Sequence, residues 1–412
     1  MKKVAIIGGG ISGLSVAHLL KDRCQVVIYE KESQPGGLIR CRNVEGNLFH
    51  TCGGHVFNSK RQDVINWFWN VFEKENFINV ERNSVVVFDD GLFIPYPIEN
   101  HIYYFDYQVQ MDIIRDWMTQ KKTNEHIDNF EKFLKTQFGN TLYELYFKPY
   151  NEKIWKKDLT KVPLSWLDGK LPMPTVDEMI YNNINHVKEK KFVHSKFWYP
   201  KKGGGQYLAD VLAKGLTILY NTDIKEVLLM DDNRWQVNGV DYDVVVFCGN
   251  IKDMVNIVKG VDISSYKEGI DKLDYHGTTS VFCKIENNPY SWIYQPSRKH
   301  HSHRIICSGN FSQFNNVGKK LTATVEFADE ITQSEIIEEL NEMPYNPTYL
   351  DVNYTKYSYP IQDNTTRCLI KEFKNKLRPY KFYFTGRFAD WEYYNMDTAI
   401  AAAIDMINRE AI

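Results

Sequence analysis

The chain has 412 residues, 43% of them hydrophobic, and a formal net charge of −2. That length allows two or three units with a sizeable core, and the near-neutral balance argues against a generally cationic nucleic-acid surface. Seven cysteines without a C-x-x-C pair do not suggest a disulfide framework and are expected to be reduced.

The apolar start, Val4 to Ile7, is too short for a secretory signal, and no run approaches transmembrane length. A cytoplasmic protein with no membrane span is the expectation. Aromatic residues make up 14% of the chain, which suits an elongated ligand cleft as well as a core.

The first element reads as strand, tight turn and helix. Four apolar residues, Val4 to Ile7, precede Gly8, Gly10 and Gly13 in G-x-G-x-x-G spacing, and Leu14, Ala17 and Leu20 continue at helical spacing. The first glycine permits the turn, the second lets a pyrophosphate approach the backbone, and the third lets helix and strand pack closely. Ser12 lies inside this turn. A second strand, Val26 to Tyr29, ends in Glu30, an acceptor for an adenosine ribose hydroxyl. The pattern predicts a dinucleotide site.

Gly36-Gly37-Leu38 follows shortly after, and His50-Thr-Cys-Gly53-Gly54-His55 brings a second glycine pair against an apolar strand. There the backbone can pass close to a flat ring. His55 would sit beside that ring, or be an ordinary hydrogen-bonded buried histidine.

The chain divides by composition into 1–75, a first nucleotide-binding segment; 76–198, mainly helical; 199–270, a return to the first domain; 271–357, strand-rich; and 358–412, a closing segment. Ile127, Phe130, Phe133, Leu134 and Phe138 mark one helical face. The runs Leu216 to Tyr220, Ile224 to Met230 and Trp235 to Val237 suggest a small strand layer, followed by a buried strand from Asp243 to Cys248. Asn395 or Asp397 is expected to cap a final helix whose positive end would face a ligand. The run Arg298 to Arg304 contains three histidines without a companion ligand motif; a flexible basic loop recruiting an anion is expected there, and no metal.

Together these residues resemble the UDP-galactopyranose mutase family, eukaryotic-type branch, within the superfamily of FAD-dependent amine oxidases and protoporphyrinogen oxidase. The markers run in order along the chain: the N-terminal glycines, Gly54-His55, Pro95-Tyr96-Pro97 with Asn100, Pro149-Tyr-Asn151 with Trp155, Tyr199-Pro with its glycine run, and Gly386-Arg387-Phe388 with Trp391 and Tyr393.

The resemblance implies an α/β fold: a discontinuous Rossmann-like FAD-binding domain with an inserted helical and mixed α+β substrate region. It also implies a flavin-dependent isomerase interconverting pyranose and furanose forms of a nucleotide-linked sugar. In that family reduced FAD attacks the anomeric carbon through N5 and the nucleotide diphosphate leaves, with NAD(P)H or reduced flavin as external reductant. The alternative is a genuine FAD oxidoreductase of the amine oxidase or protoporphyrinogen oxidase type.

By the same resemblance Gly8, Gly10, Ser12, Gly13, Glu30, Gly37, Leu38, Gly54, His55, Arg387, Met396 and Asp397 would hold FAD. Arg304 would bind the diphosphate, with Tyr294, Tyr359 and Tyr393 around the diphosphate and sugar and Tyr96 and Trp155 near the nucleotide or sugar. The chain departs from the family at two places. Lys170 stands where the family has a second diphosphate arginine, and Phe311 where it has a tyrosine. Lysine neutralises phosphate without arginine's planar fork, which points toward another nucleotide sugar or a retained oxidase scaffold. His55, Arg304 and Lys170 are the candidate catalytic residues.

Overall fold

A computed structural model describes residues 1–119, 127–164, 174–187 and 195–412. Its centre is a five-stranded parallel sheet in the order Phe382–Phe384, Val244–Phe247, Lys2–Ile7, Cys24–Tyr29, Thr217–Leu219. Segments far apart in sequence thus share one sheet, which makes the nucleotide-binding fold discontinuous. The strand Lys2–Ile7 is central, and its last four residues are buried on both faces, as helices on either side of a parallel sheet require. Val4 and Ile6 pack with the helices Ile11–Leu20 and Met396–Glu410 on one side, whereas Ala5 and Ile7 join Phe247 and Phe373 on the other.

Three short strands, Val227–Leu229, Trp235–Val237 and Val240–Tyr242, form the expected small layer together with Val258–Lys259. Thr217–Leu219 does not join it. Val27, Ile28 and Tyr29 pair in parallel with Thr217, Ile218 and Leu219, so this strand is the edge of the main sheet. Its alternating exposure suits that position.

The second large sheet has seven strands in the order Thr348–Ile361, Asp274–Ile285, Leu321–Ala328, Ser302–Ile306, Trp292–Tyr294, Ser84–Val87, Phe93–Pro95. Its two faces carry different chemistry. Val281, Val325, Ile305, Ile293 and Val85 form an apolar core with Ile336 and Leu340 of the helix Gln333–Glu342. On the opposite face, cross-strand register sets Glu326 beside Arg304 and Arg304 beside Tyr294. Because side chains alternate along a strand, a slip of one residue would send this polar row into the core.

Over this region lie the helices Tyr107–Thr119, Phe130–Phe138, Lys148–Trp155 and Val176–Ile184. Phe130, Phe133, Leu134 and Phe138 are all buried, the single face expected from their spacing. Among the described residues no helix is long and apolar enough to cross a membrane.

Candidate functional site

A cleft of about 710 Å³ opens at the C-terminal ends of the parallel strands. Gly8 turns the chain with φ of 108°. A Cβ on Gly13 would stand 2.0 Å from the Gly8 carbonyl oxygen, so only glycine allows the helix this close to the strand. The Glu30 carboxylate is buried at the tip of the neighbouring strand, where Oε2 accepts the Gly9 amide (2.7 Å) and Oε1 the Glu32 amide (2.9 Å). Each oxygen retains acceptor capacity for a hydroxyl in the cleft.

The helix Ile11–Leu20 begins at Gly10 without a side-chain cap, and both Gly10 and Ser12 line the cleft. The last helix behaves differently from expectation. Asn395 occupies its N-cap position, yet its side chain makes no capping hydrogen bond, while the Asp397 carboxyl bonds to the Thr398 amide and to Ser59. Burial raises the Asp397 carboxyl above its usual range. Asn395 and Met396 line the cleft, so this helix starts at its wall.

His55 lines the same cleft, with an enclosed Nε2 that has no hydrogen-bond partner. Burial, with the nearby His50 and Arg387, lowers its pKa to about 3, so the ring is neutral. Behind it, His50 Nε2 lies 2.8 Å from the Tyr199 hydroxyl and its Nδ1 3.6 Å from Cys41 Sγ. Gly54 leaves no room for a side chain, because a Cβ would approach Ile306 Cγ2 to 2.9 Å. Gly37 (φ 55°) and Leu38 complete this wall. Arg387 is held by the carbonyls of Tyr394 and Ser358 and lies 4.9 Å from the centre of the Tyr393 ring.

Glycine cradles, two helix N-termini, a buried carboxylate at a strand tip and an orphaned imidazole nitrogen together fit a dinucleotide carrying a flat ring system.

Beyond His55 lies a cationic and tyrosine-rich region. Arg304 is no surface cation: its Nε donates to Glu326 Oε2, and its Nη2 to the Tyr359 hydroxyl (3.3 Å). Burial opposes ionisation of Glu326, but Arg304 and His303 hold its pKa down to about 2. Tyr359 stacks on Tyr393 with centroids 5.3 Å apart. Tyr294 is 5.0 Å from Tyr96 and 5.5 Å from Tyr150 between ring centres. Trp155 is buried and, with Tyr393, lines a separate small cavity. Lys170 lies outside the described residues.

The run from Arg298 to Arg304 is not a free loop. Glu339 accepts the backbone amides of His301 and Ser302, while His303 is buried in the strand Ser302–Ile306. Burial lowers the His303 pKa to about 4. Among the described residues no group of three or more His, Cys, Asp or Glu is placed to hold a metal. Phe311 is enclosed by Phe197, Tyr199 and Trp292, a position with no need of a hydroxyl.

Three site residues escape sequence reasoning. Glu326 is fully buried; its signal is a charge inside the otherwise uncharged strand Leu321–Ala328. Arg82 donates to the Tyr294 hydroxyl and lies 5.0 Å from the Trp292 ring, at a chain position with no distinguishing pattern. Lys153 anchors the helix Lys148–Trp155 to the carbonyls of Gln295 (2.8 Å) and Ser302 (2.9 Å), and burial lowers its pKa to about 7.

Residues 6–73 match the model of an NAD(P)-binding Rossmann-like domain. The cleft lies at the C-terminal ends of the strands of this Rossmann-like sheet, where α/β folds bind dinucleotides. The chain is similar to UDP-galactopyranose mutase: it is 24% identical to the enzyme of that name from Mycoplasma genitalium, over 97% of this chain and 93% of the relative. A dTDP-fucopyranose mutase from Escherichia coli is 27% identical over 42% of this chain and 46% of the relative. The fold agrees with a crystal structure of reduced UDP-galactopyranose mutase at a TM-score of 0.88, with 21% identity, covering 99% of this chain and 95% of that one.

Proposed function

We propose that this chain is a flavin-dependent nucleotide-sugar mutase that interconverts pyranose and furanose forms, with FAD as its cofactor. The observation that carries the reading is Arg304, a guanidinium braced by a buried carboxylate and surrounded by tyrosine hydroxyls beside the dinucleotide cleft. Such a surface suits an anionic, hydroxyl-rich ligand better than an apolar amine. Similarity to mutases of both a uridine-linked and a thymidine-linked sugar supports the same class.

Gly8, Gly10, Ser12 and Gly13 would receive the pyrophosphate of FAD, Glu30 its ribose, and Gly37, Leu38, Gly54 and His55 the ring system. Met396 and Asp397, in the first turn of the last helix, would present amides to the electron-rich pyrimidine edge. Reduced FAD supplies a nucleophilic nitrogen at the anomeric carbon when bound.

The protein's own work is alignment and charge compensation. Arg304 would grip the diphosphate through the Nη groups that Glu326 leaves free and would offset the charge that grows as the glycosidic oxygen departs. Lys170 is proposed as the second cation. Tyr359 and Tyr393 would hold the diphosphate and sugar hydroxyls in register, with Tyr96, Tyr294 and Trp155 flanking the nucleotide. A neutral His55 can accept or donate at its free Nε2 beside the ring without adding charge. The protein would work in the cytoplasm, with NAD(P)H or reduced flavin as reductant.

The test is anaerobic reduction followed by incubation with UDP-galactose, dTDP-fucose and related nucleotide hexoses, with products separated chromatographically. A furanose product supports the mutase. Oxygen consumption with an amine or porphyrinogen, and no furanose from any sugar nucleotide, would establish the oxidoreductase instead.

A further inference from the structure

The pairing of strands Asp274–Ile285 and Thr348–Ile361 is irregular between Phe282 and Cys283 and, more strongly, between His276 and Thr278. His276 stands opposite Tyr359, but Thr278 stands opposite Thr355, so the longer strand carries two additional residues across the irregularity. Such bulges re-aim side chains and free backbone groups from the ladder. Here the Ser358 carbonyl accepts Arg387 Nη1 at 3.0 Å, and Ser358 Oγ bonds back to the Thr355 carbonyl at 2.8 Å. On the facing strand Gly277 leaves room for the Tyr354 ring, whose hydroxyl would lie 2.4 Å from a Cβ there.

The irregularity also sets His276 flat against Tyr359, with ring centres 4.6 Å apart and planes at 19°. Tyr359 in turn stacks on Tyr393 at 5.3 Å, and Arg387 lies 4.9 Å from the far ring. The result is a column of His276, Tyr359, Tyr393 and Arg387. Arg304 joins it from the side through the Tyr359 hydroxyl. His276 closes the buried end: the residue is 4% exposed, and its Nδ1 donates to the Gly277 carbonyl at 2.9 Å, which fixes ring orientation and tautomer. Its Nε2 is enclosed without a partner, so the ring contributes a stacking face here and no further hydrogen bond.

We propose that His276 is a positioning residue: by stacking on Tyr359 at the strand irregularity it fixes the tyrosine column, and through it the aim of Arg304 and Arg387. The inference deepens the mutase reading and rests on it. Without the backing ring, Tyr359 can tilt into the vacated space, and its hydroxyl no longer meets Arg304. An aromatic pair of this kind is worth up to about tenfold in an equilibrium constant.

The experiment compares wild-type holoenzyme with His276→Leu, His276→Ala and His276→Phe. Each is measured for flavin absorbance, melting temperature, and KM and kcat in the furanose-forming assay. The expected result is an unchanged flavin content in all, a roughly tenfold rise in KM with a smaller change in kcat for the Leu and Ala variants, and recovery to within about threefold by Phe. A merely structural role would lower melting temperature and leave KM untouched. Wild-type turnover with a His276→Leu KM equal to wild type, or with no recovery by His276→Phe, overturns the inference alone. A flavin-loaded wild type without turnover on any nucleotide sugar overturns the mutase reading and the inference with it.

Discussion

Glu326 and Arg304 stand opposite each other on neighbouring strands, and the carboxylate takes the Gly53 amide (2.9 Å) as well as the guanidinium. One buried charge therefore ties the cation of the tyrosine-rich region to the glycine pair that carries His55. Glu326→Ala would leave Arg304 uncompensated in a buried setting and is expected to destabilise the fold by about 3–5 kcal/mol. Denaturant unfolding of the two proteins checks this, and a difference below 1 kcal/mol, as an exposed pair would give, contradicts it.

The buried histidines set a pH dependence. His50 and His303 have pKa values near 4 and His55 near 3, in each case chiefly through burial, against an ordinary value of 6.5. A depressed histidine pKa means that the unfolded chain binds the proton first. The histidines' contribution is therefore full above about pH 6.5 and falls as the pH drops toward 4, by about 1.4 kcal/mol per pH unit for each. Buried Lys153, with its pKa lowered from 10.5 to about 7, gives a loss of the same sign between pH 10.5 and pH 7. Glu326, with its pKa near 2 against 4.5, adds a loss in the same direction below pH 4.5. A melting series from pH 8 to pH 4 should show a shallow fall that steepens below pH 6.5, whereas a maximum near pH 5 would contradict the assignment.

At the dinucleotide turn the prediction is steric. Gly13→Ala sets a methyl group 2.0 Å from the Gly8 backbone oxygen, in the turn directly after the central strand, with no flexible side chain to yield. The variant is expected to purify with flavin absorbance reduced at least about tenfold, or not to fold, since overpacking against backbone costs roughly 1–3 kcal/mol or more. Full flavin occupancy in a folded Gly13→Ala protein would show that the turn relaxes.

The dinucleotide half of the site was legible because its requirements are local. Gly8, Gly10, Gly13 and Glu30 lie within one strand, turn, helix and the tip of the next strand, and Gly8, Gly13 and Glu30 each have a steric or hydrogen-bonding reason to be the residue they are. The other half depends on register between strands far apart in the chain. Arg304 was found through a family resemblance, but its partner Glu326 and the stack of His276 on Tyr359 arise only when Asp274–Ile285, Leu321–Ala328 and Thr348–Ile361 pair as they do. The same applies to Thr217–Leu219, whose sequence is equally compatible with a small surface layer and with the sheet edge it occupies.

Glu30→Ala removes the acceptor of two backbone amides and the proposed ribose contact. The Gly9 and Glu32 amides would lose their partner at the mouth of the cleft, and FAD affinity is expected to fall about ten- to a hundredfold. Titration of the apoprotein with FAD, followed by flavin fluorescence, reads this directly; an unchanged affinity would remove Glu30 from the site.

The central claim is that the flavin acts without net oxidation of the sugar. The most direct measurement is a count of products per reducing equivalent: the protein is reduced once with a limiting, anaerobic dose of dithionite and then given a nucleotide hexose. Many furanose molecules per reducing equivalent, with the flavin still reduced at the end, is the predicted result. Product no greater than the electrons supplied, or no furanose from any nucleotide sugar, would contradict it.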